Sequence, residues 1–510
     1  MIRIKNIFWV LSAACILNSC EDFLNVAPEG QLTDDIYFSD ESKIEDAVAQ
    51  VYSSLNWRYY RLGGMFYATH EMCADDYVVG SFADFAAFRN FEYLANNVYI
   101  ERYWDQWYGY INDCNVVIDY TKGKDTERCI LAEAQAKFFR AYHYFDMVRV
   151  FGEIPLHDHV PAQDEANIPK SSEDEIYKLI IDDLNFAKDH LKKHEEWGTD
   201  GNGRVSQETA KGLLALVYLT RQDYKNALEY AEDVILNGDF SLYSNYRELY
   251  APWNNYSCEN MLPGHFSYQF IAGRERNPYV EYQGIPSADS KLGSFCILPS
   301  EDIVNAYEVG DPRKTASIFE NGDNIPGYPD AIEWKEDYIE SGKIYANRKV
   351  IWDYDANGWN YSGWPSGDFF KQELNLPFMR YAEILLIAAE AANEIGENVG
   401  KALDYLEQVR YRARGNKTYE DSGVLPKILT TDKIELRHLI WDERRVELAF
   451  EGHRWFDLVR YEKVEPGYTT TLMRTLGRTN FDYEKYSRFP LPENRVISSE
   501  GVLIQNENWR

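Results

Sequence analysis

The sequence has little that would favour a disulfide scaffold, a known catalytic motif or binding to nucleic acid. Only 7 cysteines occur in 510 residues, none of them in CxxC spacing, so we expect neither a disulfide framework nor a zinc site. We also find no Walker loop, GxSxG elbow, HExxH motif or GxGxxG turn on a strand–helix unit. The 83 acidic residues outnumber the 53 basic ones. This excess opposes binding to nucleic acid or to an anionic lipid surface.

Long apolar runs are scarce as well, and the clearest one lies at the start of the chain. Arg3 and Lys5 precede an apolar run over residues 7–17, and the residues that follow resemble a lipobox ending at Cys20. The run is too short to span a bilayer. We therefore expect residues 1–19 to be a signal peptide and Cys20 to carry the lipid, with several acyl chains providing a stable anchor. The alternative is an ordinary secreted protein in which this cysteine is a coincidence.

Amphipathic and buried helices are predicted over most of the remaining chain. Residues 379–395 are almost entirely Ile, Leu and Ala apart from one charged stripe, and Gly396 follows at the position expected of a C-terminal cap. A second helix over 402–409 would pair with this one. Residues 210–236 carry small and aromatic residues at the spacings of a tetratricopeptide repeat, and the helix-pair pattern recurs at 131–191. These patterns predict an all-α scaffold of stacked helical hairpins.

The helical period fades between residues 240 and 375. Apart from a short helix predicted near 301–307, this stretch is rich in Gly, Pro, Asn, Tyr and Trp. Irregular insertions of such length often carry function. We therefore divide the chain into a signal peptide (1–19), an N-terminal helical part (20–240), a loop-rich insertion (241–375) and a C-terminal helical part (376–510). The two helical parts should form one compact domain.

Six segments carry a resemblance to a known family. They are CEDFLN, AEAQAKFFRAYHYFDMVRVFGEIPL, GRVSQETAKGLLALVYLTRQDYKNALEYAEDVI, PFMRYAEILLIAAEAANEIG, DERRVELAFEGHRWFDLVR and PLPENRVISSEGVLIQNENW. The chain resembles the SusD/RagB outer-membrane lipoproteins. This resemblance implies a non-catalytic, cell-surface protein that binds a neutral oligosaccharide or polysaccharide and passes it to a SusC-like TonB-dependent barrel. The RagB branch implies a peptide ligand as the alternative.

The aromatic residues of the insertion provide the candidate ligand site. A sugar ring has an apolar face that stacks on an aromatic ring and a rim of hydroxyls that bind Asp, Asn, Arg or Lys. We expect modest affinity, between roughly micromolar and millimolar. We expect no cofactor, although the Asp-rich stretch 352–368 could hold a calcium ion. The candidate ligand-binding residues are Trp359, Tyr361, Trp364, Trp352, Trp253, Tyr282, Asp76 and Arg89.

Two charged segments permit other interpretations. Glu447, Glu451, His453 and Asp457 have spacings that paired acids or metal ligands can use. The same segment also offers opposite charges three residues apart, Arg444–Glu447, Glu451–Arg454 and Asp457–Arg460, and we interpret these as structural ion pairs on one helix over 434–460. His157-Asp158-His159 lacks an evident fourth metal ligand. A hydrolase on a helical scaffold remains the third hypothesis, with no catalytic residue to name for it.

Overall fold

The computed structural model describes residues 43–60, 65–162, 165, 167–264, 282–287, 294–326, 331–335, 343–352 and 374–510. The chain divides into a compact unit Met1–Ala47 and a second unit Val48–Arg510. Only residues 43–47 of the first unit are described, and they form the start of a helix. The predicted signal peptide and Cys20 lie outside the described residues.

Helices dominate the described part of the chain, and the strands are short. The helices are α1 (Lys43–Tyr60), α2 (Ala86–Arg89), α3 (Val98–Thr121), α4 (Glu127–Phe151), α5 (Glu173–His190), α6 (His194–Trp197), α7 (Gln207–Thr220), α8 (Tyr224–Asn237), α9 (Glu301–Ala306), α10 (Pro312–Ser317), α11 (Tyr381–Ile395), α12 (Val399–Ala413), α13 (Tyr419–Ser422), α14 (Lys433–Glu447), α15 (Arg454–Val464), α16 (Tyr468–Thr475), α17 (Tyr483–Tyr486) and α18 (Glu493–Ser498). The strands are β1 (Tyr77–Val79), β2 (Asn260–Gly264), β3 (Ile297–Pro299), β4 (Ile318–Glu320), β5 (Tyr345–Asn347) and β6 (Leu376–Arg380).

The long helices pack as successive hairpins, which confirms the predicted all-α repeat scaffold. Helix α3 packs on α4, α4 on α5, α5 on α7, α7 on α8, α8 on α11, and α11 on both α12 and α14. Side-chain caps start several of these helices. Ser172 and Glu175 form a capping box at α5, and Asp223 caps α8 in the turn of the predicted repeat. Gly396 ends α11 in the left-handed conformation, as predicted.

The stretch predicted to be irregular contains short regular elements. Strand β1 pairs with β3, β2 with β6 and β4 with β5, each pair antiparallel. Runs of three to five residues are too short to show a period in the sequence, so the prediction missed them. The predicted helix near 301–307 is confirmed as α9. The C-terminal helical part continues after α15 with the short helices α16, α17 and α18.

The single helix predicted over 434–460 is wrong, because the chain breaks between α14 and α15. Phe450 and Gly452 in the break have φ values of 69° and 81°. A Cβ at Gly452 would lie 2.8 Å from the Phe66 ring, so this position requires glycine both for its conformation and for its close packing. The apolar and charged pattern of the segment continues through the break, so the pattern alone could not reveal it.

Two of the three ion pairs predicted within that helix are also wrong. Asp457–Arg460 forms at 3.0 Å, but Glu447 and Glu451 instead bind the guanidinium of Arg380, at 2.6 and 2.8 Å. The charged stripe on α11 makes similar long-range pairs: Arg444 with Glu383, Arg460 with Glu390 and Arg437 with Glu394. The stripe is therefore a seam of ion pairs between α11 and the helices α14 and α15.

The cysteines of the described residues have free thiols. Cys73, Cys114, Cys129 and Cys296 are buried and pack as small apolar side chains, whereas Cys258 is exposed. None of the helices in the described ranges combines the length and apolar character needed to cross a bilayer.

Candidate functional site

A cavity of about 660 Å³ opens beside the small sheet formed by β1 and β3. Its walls come from distant parts of the chain: β1, α2, the start of α9, β5 and the turn after α16. We call it the sheet cavity. Its polar lining includes Asp75, Arg89, Ser300, Asp302, Tyr345 and Arg478.

The floor of the sheet cavity is the antiparallel pair of β1 and β3, which hydrogen bonds and one glycine hold together. Tyr77 lies opposite Pro299 in the register of β1 and β3. Beyond the sheet, the Ser300 hydroxyl donates to the Asp75 carbonyl at 2.7 Å, and its backbone N–H donates to the Asp76 carbonyl at 2.8 Å. Gly80 follows β1, and a Cβ there would lie only 1.9 Å from the Phe295 carbonyl oxygen. Only glycine permits this approach.

Two buried aspartates next to β1 are clamped by arginines from α14 and α15. Asp75 accepts two hydrogen bonds from Arg454, at 2.8 and 2.9 Å, and pairs with Arg445 at 3.0 Å. Asp76 accepts from Arg445 at 2.8 Å, and Arg445 also binds Asp302 at 2.6 Å. These charge-assisted contacts tie the cavity wall to the helical scaffold.

The pKa values of the two aspartates move in opposite directions. Burial opposes ionisation of Asp75, but the Arg445 and Arg454 charges outweigh it and hold its pKa below the usual range. At Asp76, burial and the neighbouring Asp75 charge outweigh the attraction of Arg445 and raise the pKa to about 6. Asp75 is therefore the permanent anion of the clamp.

Two further arginines lie beside the sheet cavity. Arg89 donates to the Tyr77 carbonyl at 3.3 Å and is partly exposed. Arg478 donates to the carbonyls of Cys73 and Ala74, at 3.1 and 2.6 Å. Burial and then the nearby Arg89 charge lower the pKa of Arg478 to about 10. The cavity thus combines guanidinium donors with the carboxylate of Asp302, a set suited to hydroxyl groups.

Of the two residues predicted in the N-terminal part, one lines this cavity and the other lies beside it. Arg89 lines it, whereas Asp76 lies one residue beyond the lining and is held by Arg445. The sequence reasoning missed Asp302, Tyr345 and Arg478. No local pattern marks these three, because they meet only through the tertiary fold. Ligand contact by Arg89 and Asp76 stays a prediction.

In the described part of the chain, two of the predicted aromatic residues contact each other and a third contacts a tyrosine outside the predicted set. Trp352 is only 3% exposed, stands edge-on to Trp253 at 4.9 Å and has the Arg247 guanidinium over its ring at 4.4 Å. This packing disfavours Trp352 as a stacking platform. Tyr282 is partly exposed and stacks on Tyr67 at 4.9 Å. The remaining candidates, Trp359, Tyr361 and Trp364, lie in 353–373, outside the described residues.

The charged residues considered for catalysis have structural partners. Arg313, Arg380 and Arg412 all contact Glu447. Burial raises the pKa of Glu447, but these arginines outweigh burial and hold it below the usual range. Arg380 and Lys349 act in the same way on Glu451, whose pKa falls to about 2. Carboxylates held in this state do not supply a proton to a substrate.

The described residues do not suggest a metal centre. They contain no group of three or more His, Cys, Asp or Glu side chains arranged to hold a metal ion. His159 directs one ring nitrogen to Asp158 at 2.7 Å and the other to Glu165 at 3.0 Å, so both nitrogens are occupied. Most of the Asp-rich stretch considered for calcium lies outside the described residues.

Comparisons with known proteins give matches along most of the chain. A family model described as the SusD family matches residues 231–509, and one described as starch-binding associating with outer membrane matches residues 22–219. The SusD-like protein P2 of Formosa agariphila is 28% identical over 439 residues, covering 82% of this chain and 83% of that relative.

Solved structures share the fold. A laminarin-binding SusD-like protein matches with a TM-score of 0.74 at 23% identity, covering 91% of this chain and 99% of its own. A structure solved with a xylogluco-oligosaccharide matches with a TM-score of 0.71 at 22% identity, covering 90% and 97%. At these identities the similarity establishes the helical fold, in agreement with the packing described above.

Proposed function

The chain belongs to the SusD family, and we propose that it is a non-catalytic, glycan-binding lipoprotein of the outer membrane. It would capture a neutral oligosaccharide or polysaccharide at the cell surface and deliver it to a SusC-like TonB-dependent barrel. Two structural neighbours, one described as laminarin-binding and one solved with a xylogluco-oligosaccharide, support a glycan as the ligand class. Lipidation at Cys20 would provide the anchor.

The observation that carries this proposal is the rigid, polar sheet cavity. Its volume of about 660 Å³ is within the range of ligand sites and can hold several sugar units. Arg89 offers donors and Asp302 offers acceptors at the same opening, as a ring of hydroxyl groups requires. The clamp of Asp75 by Arg445 and Arg454 fixes this arrangement before ligand arrives, which reduces the ordering cost of binding.

The insertion would complete the site. We propose that Trp359, Tyr361 and Trp364 supply the stacking surface. Trp352, the other predicted tryptophan of this stretch, is left out because its ring is packed inside the fold. The division into helical parts (20–240 and 376–510) and an insertion (241–375) is part of this proposal. The helical parts would form the scaffold that faces the barrel.

A glycan-binding assay on the full chain in detergent micelles tests the function. We would measure retention of the chain in gels containing starch, laminarin or xyloglucan. Binding to a tryptic peptide mixture, which represents the alternative ligand class, would be measured alongside. Arg89→Ala should weaken retention by roughly tenfold, since it removes the charge-assisted hydrogen bonds that the guanidinium would donate to the ligand. Arg221→Ala is the matched control, because Arg221 lies on the surface and pairs with Asp174.

The outcomes separate the alternatives. Retention by at least one glycan that is weakened in Arg89→Ala and unchanged in Arg221→Ala supports the proposed site. Binding of peptides in place of every glycan would refute the ligand class. Release of shortened oligosaccharides from any of the polymers would refute the absence of catalysis.

A further inference from the structure

A second cavity, of about 560 Å³, opens between helix α3, the chain that follows α4, and the C-terminal residues 495–503. It shares no lining residue with the sheet cavity. We call it the α3 cavity. Its lining includes Trp104, Tyr108, Asn112, His157, Arg495 and Leu503.

One wall of the α3 cavity is aromatic and held in a fixed orientation. The rings of Trp104 and Tyr108 lie 4.9 Å apart, and the Tyr108 ring meets the His157 ring edge-on at 5.8 Å. The Tyr108 hydroxyl donates to the Pro155 carbonyl at 2.7 Å. Because both ends of the Tyr108 side chain are anchored, its ring is a rigid surface and not a mobile one.

The backbone segment that carries His157 is fixed by several polar contacts. The backbone N–H of His157 donates to the Tyr144 hydroxyl at 2.7 Å. The Asn115 amide donates to the carbonyls of His157 and His159 at 3.1 and 2.9 Å, and its own oxygen accepts from Arg140 at 2.9 Å. This network holds the imidazole of His157 at the cavity while leaving its ring nitrogens out of the network.

Two polar side chains of the lining have hydrogen-bonding capacity that the protein does not use. Among the described residues, neither the Asn112 amide nor the His157 imidazole has a hydrogen-bond partner. Burial, and then the nearby His159, lower the pKa of His157, so at neutral pH its ring offers one donor and one acceptor. The Asn112 amide also offers both. Paired donors and acceptors match vicinal hydroxyl groups, which are themselves both donors and acceptors.

From this combination we propose that the α3 cavity is a second saccharide-binding site, taking a short stretch of neutral sugar units. The partly exposed ring of Tyr108, backed by the buried ring of Trp104, would pack against the apolar face of a sugar, and Asn112 and His157 would bind its hydroxyl groups. The inference rests on the proposed function, since the same glycan class would occupy both cavities. Two sites on one chain would let a long polysaccharide be held at two points, which increases retention without tighter binding at either.

Hydrogen exchange followed by mass spectrometry tests this site on the full chain in micelles. The probes are a malto-, a laminari- and a xylogluco-oligosaccharide, each at about 10 mM to saturate weak sites. At least one probe should slow exchange in peptides covering 104–115 and 155–162. The double variant Asn112→Ala, His157→Ala should weaken that protection by roughly tenfold in probe concentration, because two hydrogen-bonding groups are lost.

The control variant is His190→Ala with Asn237→Ala, which removes the same two residue types from positions that do not line the α3 cavity. It should leave all protection unchanged. Peptides covering 75–80 and 297–302 report on the sheet cavity in the same experiment, so the two proposals are scored separately. Protection at the sheet cavity alone would refute the second site and leave the proposed function standing. Protection at neither cavity would refute both, and protection that the double variant retains would refute the assigned residues. Unchanged exchange in α11 verifies that each variant is folded.

Discussion

Glu71 is a buried carboxyl whose charge state should control the stability of the protein. It lies in a π-helical turn, Tyr67–Glu71, and one of its carboxyl oxygens has no hydrogen-bond partner among the described residues. Burial, followed by the negative charge of Asp76, raises its pKa from 4.5 to about 8. Glu71 is therefore neutral in the folded protein at pH 7, whereas it is ionised in the unfolded chain.

The direction of the pH dependence follows from proton linkage. Below pH 4.5 the carboxyl is protonated in both states and costs nothing. As the pH rises from 4.5 to about 8, the folded protein retains a proton that the unfolded chain has lost, so folding stability falls. Each pH unit in this window costs about 1.4 kcal/mol, which amounts to a penalty on the order of 3 kcal/mol at pH 7.

The substitution Glu71→Gln removes the ionisable group and keeps its shape. An amide oxygen can still accept the hydrogen bond from the Gly452 backbone. We expect the variant to be more stable than the wild type at pH 8 and to show a smaller advantage at pH 5. Groups that do not interact with Glu71 titrate equally in both proteins, so they cancel in the difference.

Thermal unfolding of both proteins at pH 5, 6, 7 and 8 provides the measurement. The gap between the two midpoints should widen steadily with pH. A gap that stays constant across the range would show that Glu71 carries the same charge in the folded and unfolded states and would refute the reasoning.

Two further predictions concern the scaffold and the cavity floor. Arg380→Leu should destabilise the fold by about 3–5 kcal/mol, because it removes a main partner of the buried carboxylates of Glu447 and Glu451. Urea unfolding measures this loss. The control Arg221→Ala, on the surface, should cost less than about 1 kcal/mol. A loss for Arg380→Leu no larger than that of the surface control would contradict it. Gly80→Ala should weaken glycan retention, because its Cβ would push the Phe295 backbone away and separate β1 from β3. The control is Gly109→Ala on α3, where a Cβ meets nothing within 4 Å. It should leave retention unchanged and leave the stability of the fold unchanged or slightly higher. Equal retention by both glycine variants would contradict this account of the cavity floor.

Helical periodicity and capping chemistry predicted the scaffold well, because both are local properties. The alanine-rich run of α11, its end at Gly396 and the hairpin of α7 and α8 all follow from residues within a few turns of one another. The charged residues were predicted less well. Spacing along a helix suggested local pairs such as Arg444–Glu447, whereas burial favours multidentate partners from other helices, and sequence spacing contains no information about those.

The candidate site shows the same limit. Arg89 and Asp76 could be singled out from the sequence because they lie near one another in an aromatic, glycine-containing stretch. Asp302, Tyr345 and Arg478 could not, since each comes from a different segment and joins the cavity only after the sheet and the helices have packed. The roles of Trp359, Tyr361 and Trp364 remain predictions.

The break between α14 and α15 is the feature that connects the scaffold to the sheet cavity. Arg445 and Arg454 are nine residues apart. On one continuous helix they would lie roughly 13 Å apart along the axis and face directions about 180° apart, so both could not reach a single carboxylate. Because the chain turns at Phe450 and Gly452, the two arginines approach each other, and both guanidiniums bind Asp75 within 3.0 Å. The glycine that interrupts the helix is therefore needed for the electrostatic clamp that shapes the binding cavity, even though it touches no part of that cavity itself.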